Sequence, residues 1–342
     1  MENRSTAGRD RPSSLLRLEG LRVGFEQPDG SSVPVLRGVD LEVRRGEILS
    51  LVGESGCGKT LTALAVLGLL PPGGRFLGGR IDLTDAGDVV QMTEAERRRF
   101  RGRRVAMIFQ EPSTALNPVL TIGYQIIEVL RLHRQLGRRE ARQEAERLLE
   151  AVALPEAGRR LKSYPHQLSG GQLQRVMIAM ALACEPDILL ADEPTTALDV
   201  TVQAQVLDLL LDLRSSLDLT VVLITHDLGV VAECSDRVAV MYAGQIVEQA
   251  TVRDLFRHPA HPYTRGLLAA VPRLGRRDPL REIPGQVPEP GNLPGGCSFH
   301  PRCGDAMEVC RLRAPDLYGL APGTTAPDHL SRCFLHENGV NP

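Results

Sequence analysis

The chain has 342 residues, with 40 Lys and Arg against 42 Asp and Glu and a formal net charge of -2. That near balance implies no strong electrostatic pull on nucleic acid, and the length exceeds that of one typical domain. No apolar run reaches the roughly 18 residues of a membrane helix, so the chain is not expected to span a membrane by itself.

Residues 1–14 are polar, include Pro12 and lack a signal-peptide core, which predicts a disordered lead-in. Val23-Gly24-Phe25 reads as strand, with Phe25 either a core residue or an aromatic platform for a planar base. Glu47 to Val52 is a short apolar run suited to a buried strand. It leads into Gly53-Glu54-Ser55-Gly56-Cys57-Gly58-Lys59-Thr60, then Leu61, Leu64, Ala65 and Leu69 at helical spacing up to Pro71-Pro72. Glycines let successive backbone N–H groups turn inward on an anion, and the helix that follows adds its positive dipole end. In such a loop Lys59 reaches the β- and γ-phosphates of a nucleotide and the Thr60 hydroxyl ligates Mg2+.

The basic run Arg97 to Arg104 follows Glu94 and Glu96 and has Phe100 as its one aromatic, so it is expected to be a solvated face. Val105 to Phe109 is apolar and ends at Gln110, and Arg138 to Val152 places Ala141, Ala145, Leu148, Leu149 and Val152 on one face of an amphipathic helix. Ser169-Gly170-Gly171-Gln172 opens a further helix, read as a second anion-receptive amino terminus, with a simple Ser169 cap as the alternative. One nucleotide needs one cradle, so the second suggests a site completed by another subunit. Ile188 to Ala191 delivers Asp192 and Glu193 at a strand end beside the phosphate loop. Alternation along a strand should split their roles, Asp192 towards Mg2+ and Glu193 towards the attacking water as general base. His226 follows the apolar run Val221 to Ile224.

After about residue 255 the composition shifts to proline, glycine and cysteine, with Cys297, Cys303, Cys310 and Cys333 in this stretch. The spacing lacks the close pairs typical of zinc sites, while wider loops suit an iron–sulfur cluster. A 4Fe-4S cluster is the preferred expectation, with zinc or unliganded cysteines as alternatives and His300, His329 and His336 as substitute ligands.

The phosphate loop, LSGGQ at 168–172, ILLADE at 188–193, Gln110, Ala197-Leu198-Asp199 and His226 together resemble an ABC nucleotide-binding domain over roughly residues 15–255. The resemblance implies an α/β fold, an ABC-type P-loop ATPase with a RecA-like core, an antiparallel β subdomain, a helical subdomain inserted at about 111–185, and a small Cys-containing extension at 256–342. It implies ATP and Mg2+ as ligands. Gly53 to Leu61 would bind nucleotide, Thr60, Gln110 and Asp192 would attend Mg2+, Phe25 would stack on adenine, and Lys59, Glu193 and His226 would act in catalysis. Asp199 would lie at a dimer interface, and Ser169 to Gln172 would cover the partner's nucleotide. Phe109-Gln110-Glu111-Pro112, Ala115-Leu116-Asn117-Pro118, Tyr164-Pro165-His166-Gln167, Thr195 to Gln205, His261-Pro262-Tyr263-Thr264 and Ile283-Pro284-Gly285 are similar to the ATPase subunits of dipeptide and oligopeptide importers. That implies two membrane-spanning permease subunits, a second ATPase subunit of the same or a paralogous chain, an extracytoplasmic substrate-binding protein, and a place on the cytoplasmic face of the membrane. Nickel or opine import is the nearest alternative, and a soluble ABC ATPase on nucleic acid or the ribosome a distant one. Two departures stand out, Cys57 in place of a common serine and Ser113 in place of a frequent methionine, and Cys57 predicts sensitivity to thiol reagents.

Overall fold

The computed structural model describes residues 14–196, 198–271, 282–320 and 328–337. Residues 1–13 of the expected lead-in at 1–14, and Ala197, lie outside them, while Ser14 belongs to the first strand. Strands β1 (Ser14–Glu26) and β2 (Ser32–Arg44) pair antiparallel. The chain then crosses through β3 (Ile48–Val52) and helix α1 (Lys59–Val66) and returns as β4 (Gly74–Leu83) and β5 (Gly87–Asp88). The order β2-β1-β4-β5 makes an antiparallel sheet whose inward residues, among them Leu16, Leu18, Leu21 and Val23, are buried. Helix α1 is shorter than its apolar spacing suggested, because Gly68 takes φ 62° and a Schellman pair closes the end, Leu69 N–H to Leu64 C=O at 2.8 Å and Gly68 N–H to Ala65 C=O at 2.9 Å.

Helix α2 (Glu94–Phe100) and strand β6 (Val105–Ile108) precede a helical region: α3 (Pro112–Ala115), α4 (Ile122–Arg134), α5 (Arg138–Ala151), α6 (Ala157–Arg160) and α7 (Gly170–Leu182). The basic run is not simply a solvated face. Arg97 donates to the Val89 and Val90 carbonyls, Arg101 to those of Leu67 and Gly68, and Arg104 pairs with Asp187. Arg97 and Arg101 thereby supply side-chain donors to loop carbonyls of the neighbouring turns.

Strand β7 (Ile188–Asp192), helix α8 (Val200–Leu217), β8 (Thr220–Thr225), α9 (Leu228–Cys234), β9 (Arg237–Tyr242) and β10 (Gln245–Thr251) complete the central layer. Strands β9, β3, β8, β7 and β6 are neighbours in that order and run parallel. Every residue of β3, β7, β8 and β9 is buried, as parallel strands covered on both faces require. One apolar cluster joins this sheet to α4, α5, α7 and α8, and a second fills the space between the two sheets.

The described residues beyond 255 are docked on this layer. After α10 (Val252–Arg257), α11 (Pro262–Ala269) and α12 (Glu308–Leu312), the short strands β11 (Tyr318–Gly319) and β12 (Leu330–Ser331) extend the same sheet past β10. A third cluster holds the junction, where the rings of Tyr242, Tyr263 and Phe299 lie 4.7–5.3 Å apart. Such aromatic pairs add about 0.5–1.5 kcal/mol each beyond area burial. Among the described residues no helix is long and apolar enough to cross a membrane.

Candidate functional site

The glycine loop, Gln110, Asp192 with Glu193, and His226 gather at the carboxyl ends of four adjacent parallel strands, where open α/β sheets bind ligands. The glycine loop follows β3, Gln110 follows β6, Asp192 ends β7 and His226 follows β8. Within the loop Gly56 and Gly58 take φ 79° and 111°, which glycine accommodates best, and Gly58 caps α1. A Cβ on Gly53 would come 2.2 Å from the Met241 carbonyl oxygen, so the loop is pressed against the end of β9. Lys59 is buried, and its ammonium donates to the Gly53 and Glu54 carbonyls at 2.8 and 3.0 Å. Cys57 is enclosed as well, and burial pushes its thiol up against the opposing pull of Lys59, which counts against the reactivity expected of it.

The Thr60 hydroxyl donates to Asp192 Oδ1 at 3.2 Å. Burial pushes the Asp192 carboxyl up, with the Thr60 bond working the other way. Hydroxyl and carboxylate oxygens side by side are the hard donors that suit Mg2+. Glu193 lies past the strand end at φ 46°, so a left-handed turn rather than strand alternation separates it from Asp192. A non-glycine residue held there costs about 1–3 kcal/mol, and such outliers gather at functional sites. Its carboxylate receives Gln110 Nε2 at 3.1 Å and the Thr196 hydroxyl at 2.8 Å, and His226 Nδ1 stands 3.3 Å away. Gln110, Glu193 and His226, remote in sequence, therefore meet.

Ser169 and Gln172 form a reciprocal cap on α7, and Asp199 caps α8 by accepting from Val202 N–H at 3.0 Å. The two helix starts interlock, since a Cβ on Gly171 would lie 2.6 Å from Val202 Cγ1. Among the described residues no hydrogen bond joins Ser169–Gln172 to the glycine loop or the Asp192–Glu193 pair. Phe25 is half-buried on the antiparallel sheet, paired with Gly74 and Val33, and Leu61 is buried in α1.

Three participants escaped the sequence reading. Thr196 had a local signal, three residues after Glu193. Tyr263 sits in the HPYT stretch but was given no site role, and Arg302, which pairs with Glu54, had no signal at all. The iron–sulfur expectation is corrected: among the described residues no group of three or more His, Cys, Asp or Glu is placed to hold a metal ion. Cys297, Cys303, Cys310 and Cys333 border a cavity of about 10 Å3, room for about one water. Burial pushes the Cys297 and Cys303 thiols up, and that of Cys333 to about 11.

A glycine cradle with its lysine, an Asp–Glu strand end, a glutamine and a histidine on one parallel sheet define a P-loop ATPase of the ABC class. A family described as ABC transporter matches residues 36–196, and one described as oligopeptide/dipeptide transporter, C-terminal region, matches 247–310. The oligopeptide transport ATP-binding protein AppD of Bacillus subtilis is 51% identical over 95% of this chain and 98% of its own. The oligopeptide transport ATP-binding protein OppD of Escherichia coli is 48% identical over 94% and 93%. A dimeric ABC cassette in a post-hydrolysis state, bound to ADP and Pi, superposes with TM-score 0.62 at 29% identity, covering 70% of this chain and 99% of that one. The chain belongs to the ABC transporter ATPase family, among the oligopeptide and dipeptide transport ATP-binding proteins.

Proposed function

We propose that this chain is the ATP-hydrolysing subunit of an importer of di- and oligopeptides. The observation that carries the catalytic reading is the convergence of Gln110, Thr196 and His226 on the Glu193 carboxylate, beside the Thr60–Asp192 pair. The cradle and Lys59 bind the phosphates, and Thr60, Asp192 and Gln110 supply oxygen donors for Mg2+, which neutralises phosphate charge when bound. Glu193, its orientation set by three neighbours, takes a proton from the water that attacks the γ-phosphorus as the bond to ADP breaks. His226 and Gln110 hold that carboxylate in place, and Phe25 stacks on adenine. Ser169–Gln172 and Asp199 act across a dimer, capping the nucleotide of a second ATPase subunit, identical or paralogous.

ATP closes the pair and hydrolysis reopens it. The helical subdomain at about 111–185 transmits that motion to two membrane-spanning permease subunits, with the ATPase on the cytoplasmic face and a substrate-binding protein outside. Residues 15–255 form the nucleotide-binding domain and 256–342 the extension. The oligopeptide and dipeptide transport names of relatives at 47–51% identity favour peptide over nickel or opine cargo.

Glu193→Gln tests this reading. ATP binding should persist while steady-state hydrolysis falls about 100-fold, the scale of lost general-base catalysis. Near-normal turnover in the assembled transporter would remove Glu193 from that role. Lys59→Ala, in contrast, should weaken ATP binding itself.

A further inference from the structure

Glu54 is the second residue of the glycine loop, and all its polar groups are engaged. Its carbonyl receives Lys59 at 3.0 Å, and its N–H donates to the Tyr263 hydroxyl at 2.9 Å. Its carboxylate is gripped in a fork by Arg302, with Nη1 to Oε2 at 2.7 Å and Nη2 to Oε1 at 3.0 Å. Arg302 lies 248 residues further on, and its side chain is 5% exposed. The guanidinium is held from other sides too, donating through Nε to the Pro284 carbonyl at 2.8 Å and lying 5.8 Å from the centre of the Tyr242 ring.

A carboxylate in a loop that must accept a triphosphate opposes the ligand's charge. A fixed, bidentate guanidinium cancels that opposition more completely than solvent or a flexible lysine, because its geometry is pre-organised. We propose that Arg302 and Tyr263 are positioning residues for the phosphate loop, Arg302 neutralising and anchoring Glu54 and Tyr263 fixing its amide, so that the segment beyond residue 255 sets ATP affinity. The inference rests on ATP binding at Gly53–Thr60. It assigns the extension a part in nucleotide binding, through contacts that act on the loop rather than on the ligand.

The test is equilibrium binding of a fluorescent ATP analogue with Mg2+ to the full-length chain. Arg302→Ala should weaken binding about tenfold, the scale of one uncompensated charge close to the phosphates. The same change made on a Glu54→Gln background should cost less than about twofold, since no carboxylate is left to neutralise. Added salt should shrink the Arg302→Ala loss, and Arg302→Lys should recover part of the affinity. An equal loss on both backgrounds would make Arg302 a mere strut and overturn the proposal, as would unchanged affinity in Arg302→Ala. Should Arg302→Ala fail to fold, Tyr263→Phe keeps the ring packing and removes the acceptor. It should weaken binding about threefold in a chain that still melts cooperatively, and unchanged affinity there also overturns the proposal. Failure of the unsubstituted chain to bind the analogue would instead sink the ATPase reading.

Discussion

Acid should loosen the extension through His261. This residue caps α11, its Nδ1 accepting from Tyr263 N–H at 3.0 Å, which requires an unprotonated nitrogen. Its backbone N–H donates to Glu248 Oε2 at 2.8 Å, and the residue is 2% exposed. Burial lowers its pKa from 6.5 to about 4, the Glu248 charge working the other way and Arg265 and His336 adding to the lowering. Bonds from His329 and from the Ala260 and His261 backbone N–H groups hold the Glu248 carboxyl below its usual range against the upward push of burial. Since the folded His261 pKa lies below the unfolded one, its contribution is complete above about pH 6.5 and is lost as pH falls towards 4. The gap between 6.5 and about 4, at about 1.36 kcal/mol per pH unit, amounts to about 3 kcal/mol lost by pH 4. Native-state hydrogen exchange over residues 261–269 reads this locally, without assuming that the whole chain unfolds in one step. His261→Asn keeps an oxygen cap and does not titrate. The difference in opening free energy between the two proteins should therefore shrink by about 3 kcal/mol from pH 7 to pH 4. Parallel pH profiles would refute the assignment of a buried neutral imidazole.

Gly171→Ala places a methyl against Val202 Cγ1 and should cost about 1–3 kcal/mol by overpacking. Thermal melts should show recovery when Val202→Ala is added, and no recovery would mean the two helix starts do not compete for that space. Arg237 pairs with Glu47 at 3.0 Å, both about 90% buried. Arg237→Ala should lower stability in denaturant titrations by about 3–5 kcal/mol by stranding the carboxylate. The cost should be smaller at pH 5 than at pH 8, since burial already pushes the Glu47 carboxyl up and protonation removes the stranded charge.

The elements of the nucleotide site were legible in the sequence because their causes are local. Apolar runs such as Ile188–Asp192 declare buried parallel strands, glycines at 53, 56 and 58 declare an anion-binding turn, and Ser169 and Asp199 announce helix starts. Each depends on φ preferences, burial or hydrogen bonds within a few residues. Other features became visible only when distant segments packed together. Two of the three partners of Glu193 come from 83 positions earlier and 33 later, and its separation from Asp192 rests on a backbone turn that strand alternation does not foresee. Arg97 and Arg101 turned inward to loop carbonyls within reach, while Arg98, Arg99 and Arg103 of the same run stay exposed. Cysteine spacing suggested a cluster, yet spacing fixes neither the direction of a thiol nor the room between four of them. In the sequence the extension is marked only by a change of composition after about residue 255. The sheet edge at β10 and the aromatic junction of Tyr242, Tyr263 and Phe299 instead bring Arg302 to Glu54, a contact that chain separation conceals and close packing creates.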